Sequence, residues 1–284
     1  ITAEVDTGLS PDALLQRIGD YDGLIVRSST KVTAEVLSAA PKLKVIGRAG
    51  TGFDNIDVEA ATRCGAIVMN TPGGNSLSTA EHTFAMVAAL ARHIPQATSS
   101  LKNGLWERGK FTGVELSGKS IGIFGLGRVG REVARRAGAF GMKVLGRDPY
   151  IGEDVAMSCG AQLAAPEEIF AVADFITVHL HLNDQTHHMI SDGEIAQCKD
   201  GVYLVNCARG GLIDEAALLR GLESGKVAGA ALDVFEEEPP ALVDLVVHDR
   251  VICTPHLGAS TKEAQSNVAL QVAEQVGDVL MGRV

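Results

Sequence analysis

One short segment restricts the possible folds more than any other. An apolar run over residues 121–124 is followed at once by Gly125-Leu126-Gly127-Arg128-Val129-Gly130. Alone, the Gly-x-Gly-x-x-Gly pattern is weak, because 32 of the 284 residues are glycine and a chance match is easy. Context decides it: a strand precedes, an amphipathic helix over 128–140 follows, and a second strand over 143–145 leads to Arg147-Asp148. In such a unit Gly125 makes the tight turn, Gly127 lets the backbone reach a pyrophosphate, and Gly130 lets the helix pack on the sheet. The helix N-terminus offers unpaired N–H groups to the anion. Asp148, 18 residues after Gly130, would accept hydrogen bonds from the adenosine ribose and repel a 2′-phosphate, favouring NAD over NADP. Arg147 beside it would soften that preference unless it faces solvent.

Strand and helix alternate through the rest of the chain. Ser10 caps a helix opened by Pro11. Strands at 24–26, 44–46 and 66–69 are separated by helices over 33–40 and from Asp57 to Gly65. Ser78-Thr79-Ala80-Glu81 has the form of a capping box before a long apolar helix ending near His93. A polar stretch over 96–118 follows and holds the only tryptophan, Trp106. Beyond the glycine motif, strands are expected at 175–178, 202–206, 230–235 and 251–253. Asp214 to Leu222 is a helix closed by Gly225. Ser260-Thr261-Lys262-Glu263 is a second capping box, opening a last helix to about Leu280. This alternation predicts parallel pairing and an α/β protein built as two Rossmann-like, doubly wound parallel-sheet units. A length near twice the usual ~150 residues per domain agrees.

Composition removes several classes of function. With 25 Lys and Arg against 35 Asp and Glu, the net charge is −10, which gives no general attraction to nucleic acid or anionic lipid. The longest apolar stretch, 84–91, is far short of the ~18 residues of a membrane span. The five cysteines are scattered, without zinc-like spacing, and suit reduced thiols in the cytoplasm. The chain starts at Ile1 without a signal-peptide pattern, so a trimmed fragment lacking its first strand is expected.

Three strand ends after the glycine motif carry ionisable residues: Arg209, Glu238 and His256. In doubly wound sheets ligands sit beyond the carboxyl ends of the strands. An arginine grips a carboxylate through two parallel hydrogen bonds. A histidine can remove a hydroxyl proton while hydride leaves for nicotinamide. A carboxylate on the second ring nitrogen fixes the tautomer and favours the protonated ring. Taken singly, each is an ordinary loop or surface residue; their joint occurrence behind a nucleotide motif is what points to hydride transfer from a hydroxy acid.

On these residues the chain resembles the D-isomer-specific 2-hydroxyacid dehydrogenases. The matching segments include Gly47-Arg48-Ala49-Gly50-Thr51-Gly52, Asn70-Thr71-Pro72, Gly74-Asn75-Ser76, Trp106-Glu107-Arg108, the glycine motif, Asn206-Cys207-Ala208-Arg209-Gly210-Gly211, Ala231-Leu232-Asp233-Val234-Phe235 and 255–265. The resemblance implies a discontinuous, flavodoxin-like substrate-binding domain over 1–72 and 260–284, and an NAD-binding Rossmann domain over 73–259. It implies Arg209, Glu238 and His256 as the catalytic set. Against NAD it places Thr51, Arg128, Val129, Asp148, Leu180, Cys207, Ala208, Asp233, Leu257, Gly258 and Ala259, besides the three motif glycines. The family usually shows His-x-Pro-Leu where this chain has His179-Leu180-His181-Leu182. With His187 and His188 nearby, His181 invites a metal reading, but no carboxylate or cysteine stands at zinc-like spacing, so no metal is expected.

The last of those segments is typical of members acting on 3-phosphoglycerate, whose oxidation to 3-phosphohydroxypyruvate with NAD opens serine synthesis. Gly50 and Gly52 would let backbone N–H groups meet the substrate carboxylate. Arg27, Arg48 and Asn75 are candidates for the phosphate, joined by Arg108 from a second copy of the chain. A homodimer is implied, through the helix after Asn75 and the Trp106 stretch, with a tetramer open for a longer chain. Two other readings stay open: a glyoxylate or hydroxypyruvate reductase, and an NAD-binding corepressor of the same family.

Overall fold

A computed structural model of the chain describes residues 1–283. It divides into two compact units, Ile1–Asn75 with the chain from Ser260 on, and Ser76–Ala259.

The first unit begins α1 (Pro11–Arg17), β1 (Gly23–Val26), α2 (Ala34–Ser38), β2 (Val45–Arg48), α3 (Val58–Arg63), β3 (Ile67–Asn70). Ser10, Thr33 and Asp57 each cap the helix that follows by accepting a backbone N–H, from Ala13, Val36 and Ala60. The three strands are parallel in the order β1-β2-β3, with Val26, Arg48 and Asn70 in register. Arg48 therefore ends one strand, and Arg27 directly follows its neighbour, on the carboxyl edge of the sheet.

The second unit runs α4 (Ser76–Ala91), α5 (Ile94–Lys102), β4 (Ser120–Phe124), α6 (Arg128–Ala139), β5 (Lys143–Arg147), α7 (Glu153–Ser158), β6 (Gln162–Leu163), α8 (Pro166–Val172). It continues through β7 (Phe175–Val178), α9 (Asp192–Gln197), β8 (Val202–Asn206), α10 (Glu215–Ser224), β9 (Val227–Leu232), α11 (Val243–Val246) and β10 (Val251–Cys253). All seven strands are parallel, in the order β10-β9-β8-β7-β4-β5-β6. The chain winds outward one way from β4, returns to lay β7 beside it, and winds outward the other way. That reversal leaves a crevice at the carboxyl ends of β4 and β7, where doubly wound sheets bind ligands. Both faces are covered. Ile123, Phe175, Val205 and Ala231 enter one core, and Phe124, Ile176, Leu204 and Leu232 enter the other. This is why these strands appear in the sequence as unbroken apolar runs rather than alternating ones.

The chain then returns to the first unit as α12 (Lys262–Leu280). Val272 and Val276 of this helix bury against Val45. Gly47, two residues on and facing the same way, is the point of closest approach: a Cβ there would lie 2.5 Å from both valines.

Some boundaries differ from the sequence expectation. The break between units falls after Asn75, because Gly74 sits against Val268 and Asn75 accepts the Thr51 hydroxyl at 2.6 Å. The helix expected to start with a capping box at Ser78 begins at Ser76 instead, and Glu81 points sideways to Arg136 of α6 at 3.2 Å. The cap of α12 is Thr261, one residue later than Ser260. The polar stretch over 96–118 begins within α5, whose large apolar residues Ile94 and Leu101 are outward. The capping box that does form, Ser191 with Glu194 at α9, has no long apolar run behind it.

Gly47→Ala should destabilise the chain by about 1–3 kcal/mol through overpacking under α12. Urea unfolding would measure this, with the same change at solvent-facing Gly109 as the control.

Candidate active site

Six loops at the carboxyl edge of the seven-stranded sheet carry the polar residues of the second unit. After β4, Gly125 holds φ +93° and donates its N–H to Arg147 O at 2.8 Å. A Cβ on Gly125 would strike the carbonyl of His179, and one on Gly130 would strike Gly125 O. Gly127, the N-cap of α6, has nothing within 4 Å of where its Cβ would be. Two glycines are thus demanded by contact, and the third keeps the helix N-terminus open to an anion. Asp148 accepts the N–H of Leu126 on Oδ2 and of Tyr150 on Oδ1, both at 2.9 Å. Its carboxylate is held at the end of β5, next to the glycine turn. Arg128 starts α6 and is exposed, and Leu180 lies against the Gly125 turn. Open cradle, helix N-terminus and anchored carboxylate together fit a dinucleotide.

On the other side of the crevice, His256 and Glu238 meet although 18 residues apart, with Nδ1 at 2.8 Å from Oε2 and 3.0 Å from Oε1. Both are close to half exposed. Nε2 of His256 makes no hydrogen bond to any described residue. His256 has φ +54° and its N–H bonds to Asp233 O at 2.9 Å. The Asp233 side chain is wholly buried. It accepts the hydroxyl of Thr254 (2.5 Å) and the N–H groups of Leu257 (2.7 Å) and Gly258 (2.8 Å). His82, from α4, adds its Nε2 at 3.0 Å from Thr254 Oγ1 and 3.3 Å from Asp233. Burial pushes the Asp233 carboxyl up, but these donors outweigh it and hold the group below the usual carboxylate range.

Arg209 follows β8 on a loop fixed by Asn206, whose side chain bonds Arg209 O (2.7 Å) and Ala208 N–H (3.0 Å). The Arg209 guanidinium donates to Ala208 O at 2.6 Å. Gly210 presses on the carbonyl of Phe235, so this loop leans on the one bearing Glu238. Cys207 is buried, and burial, reinforced by Asp233 and only partly offset by a hydrogen bond to Thr83, pushes its thiol up to about 12. It is held there as an uncharged group.

In the first unit, the loop after β2 is knotted from within. Gly50 N–H bonds the buried Thr71 hydroxyl at 2.8 Å, and Asn70 bonds Thr51 O at 2.7 Å. Arg48 folds back, donating to Ala49 O at 2.7 Å with its guanidinium over Gly50. Arg27 is exposed, and Asn55 ties its carbonyl to that of Thr30. Arg108 lies in an exposed 3-10 turn.

His82, Thr254 and Thr71, which position the loops, have no role in the sequence reading. Each stands among other polar residues or beside proline, so no local pattern singles it out. Three further residues meet unexpectedly: one ring nitrogen of His188 faces Glu236 and the other Asp214. The carboxylates missing at zinc-like spacing in the sequence are brought to this histidine by the fold.

Fold and site together define a dinucleotide-dependent oxidoreductase architecture. Residues 84–258 match the family model described as D-isomer specific 2-hydroxyacid dehydrogenase, NAD binding domain, and the chain belongs to this family. The second unit is its NAD-binding domain. The chain is 59% identical over 275 residues to D-3-phosphoglycerate dehydrogenase of Rattus norvegicus, covering 97% of this chain and 52% of that protein. It is 55% identical over 282 residues to the protein of the same name from Methanocaldococcus jannaschii, covering 99% and 54%. The chain thus spans about half the length of the curated relatives it matches. Among solved structures, D-lactate dehydrogenase from Aquifex aeolicus with NAD and lactic acid superposes with a TM-score of 0.86 at 32% identity, covering 94% of this chain and 85% of that one.

His179 bears on how the crevice responds to acid. Its Nδ1 is buried without a protein partner, and burial pushes the ring down to about 4 from an ordinary 6.5. Between these values the unfolded chain binds a proton that the folded chain refuses. Stability should therefore fall as pH drops from about 6.5 to about 4, by up to about 1.4 kcal/mol per unit. His179→Gln should flatten this part of the curve in urea unfolding at pH 7, 6 and 5. An unchanged slope would contradict the assignment.

Proposed function

We propose that this chain oxidises 3-phosphoglycerate to 3-phosphohydroxypyruvate with NAD, the entry to serine synthesis. The observation that carries the proposal is the His256–Glu238 pair, 2.8 Å apart on the rim that also holds the dinucleotide cradle. Bound NAD supplies the hydride acceptor. Nε2 of His256 takes the proton of the substrate hydroxyl as its carbon loses hydride. Glu238, accepting from Nδ1–H, keeps that nitrogen protonated and Nε2 free to accept, and stabilises the imidazolium that forms. Asp233 holds residues 254–258 in place, so that His256 is aimed without rearranging.

Arg209 is assigned the substrate carboxylate, with the N–H groups around Gly50 and Gly52 in support. For the phosphate, exposed Arg27 is favoured over Arg48, whose guanidinium is engaged with its own loop; Asn75 holds Thr51, and Arg108 is reserved for a second copy. Identity above half to phosphoglycerate dehydrogenases along nearly the whole chain supports this substrate over glyoxylate or hydroxypyruvate. An exposed row including Trp106 (78%), Leu101 and Leu105 supports a homodimer through this stretch. No helix among the described residues is long and apolar enough to cross a membrane. Among them the five cysteines are unpaired, which supports a reducing, cytoplasmic setting.

NADH formation followed at 340 nm with 3-phosphoglycerate tests the proposal, and D-glycerate is the comparison that separates it from a reductase. Arg209→Ala should lower kcat/KM by about a hundredfold or more, as loss of a buried bidentate contact does. Arg27→Ala should raise KM for 3-phosphoglycerate about tenfold or more and leave that for D-glycerate within about twofold. NAD binding without turnover of any 2-hydroxy acid would favour the corepressor reading.

A further inference from the structure

The loop that carries Glu238 is fastened at a point that the proposed proton transfer does not use. His188, on the loop after β7, donates its backbone N–H to Gly211 O at 2.7 Å, two residues beyond Arg209. Its Nε2 lies 2.9 Å from Glu236 Oε1, two residues before Glu238. Glu236 is gripped a second time: its carboxylate accepts the N–H of Glu215 at 3.2 Å, and its own N–H donates to Glu215 Oε1 at 2.6 Å. The turn then closes on the Glu238 carboxylate, which accepts the Phe235 N–H at 3.4 Å. One residue thus reaches the arginine loop through its backbone and the glutamate loop through its side chain.

We propose that His188 is a positioning residue, locking these two loops together so that Glu238 stays on Nδ1 of His256. The inference rests on the reading of Glu238 and His256 as the proton-handling pair. Three observations support it. His188 holds φ +52°, a conformation that is uncommon for a non-glycine residue and persists only where its surroundings enforce it. The ring is flanked by His187, stacked at 3.9 Å between centroids, which fixes its plane. Its two nitrogens face different carboxylates, Glu236 at 2.9 Å and Asp214 at 3.7 Å, with Glu215 behind Glu236.

His188→Asn is the informative change, because asparagine tolerates the left-handed backbone but is too short to reach Glu236. It should lower kcat about tenfold with NAD affinity kept within about twofold, since the dinucleotide cradle is untouched. Glu236→Ala should have a similar effect, and the double variant should lose no more than the worse single one. Hydrogen exchange at the Glu236 amide should quicken about tenfold or more in His188→Asn, while β4 and β5 amides stay protected. Wild-type kcat in His188→Asn, losses that multiply in the double variant, or a parallel loss of NAD affinity would each overturn the proposal. So would activity abolished by EDTA and restored by zinc, which would make the cluster a metal site. If the wild-type chain turns over no 2-hydroxy acid, the catalytic reading fails instead, and the exchange experiment alone decides whether His188 fastens the loop.

Discussion

The buried carboxylate of Asp233 is the knot on which the His256 side of the second unit depends. A carboxylate out of water is tolerated only when its lone pairs are met. Here they are met by Thr254, by the N–H groups of Leu257 and Gly258, and by His82 from a distant helix. The first three of those donors come from the loop that bears His256, so satisfying the buried charge and aiming the imidazole are one event. The backbone carbonyl of the same residue takes the His256 N–H, which closes the loop from the other side. The depressed titration of Asp233 expresses the same balance: solvation lost on burial is more than returned by donors.

Around that knot the loops are joined pairwise. Gly210 against Phe235 O brings the arginine loop to the glutamate loop, and Glu238 on Nδ1 of His256 brings the glutamate loop to the histidine loop. The dinucleotide cradle is built independently, from Gly125, Gly127, Gly130 and Asp148, on the strands across the switch point. The proposed cofactor cradle and the proposed proton-transfer pair thus rest on separate hydrogen-bond systems mounted on one sheet. A change in one can leave the other standing, so binding and turnover are expected to be separable readouts.

Much of this was legible in the sequence where a local rule was strong. The Gly-x-Gly-x-x-Gly turn, its flanking strands and Asp148 are all close in sequence, and close contacts demand glycine at 125 and 130 while the space at Gly127 is open. The caps at Ser10, Thr33, Asp57 and Asp214 are likewise local. What escaped depends on contacts between distant segments. Ser78 to Glu81 has the letters of a capping box, yet Glu81 is drawn to Arg136, and the helix starts earlier. His82 and Thr254 acquire their role only when α4 lies beside β10. His188 looked like part of a histidine-rich loop, and its acidic partners, 26 and 48 residues away, could not be found by spacing.

In the proposed reaction, hydride moves directly from a hydroxyl-bearing carbon to NAD while His256 takes the proton. The most direct measurement follows the label from 3-phosphoglycerate deuterated at C2. Deuterium is expected in the reduced nicotinamide ring, with a fall of about a hundredfold or more in the rate of transfer when His256 is replaced by glutamine. Deuterium released to solvent, or transfer at the wild-type rate without His256, would contradict it.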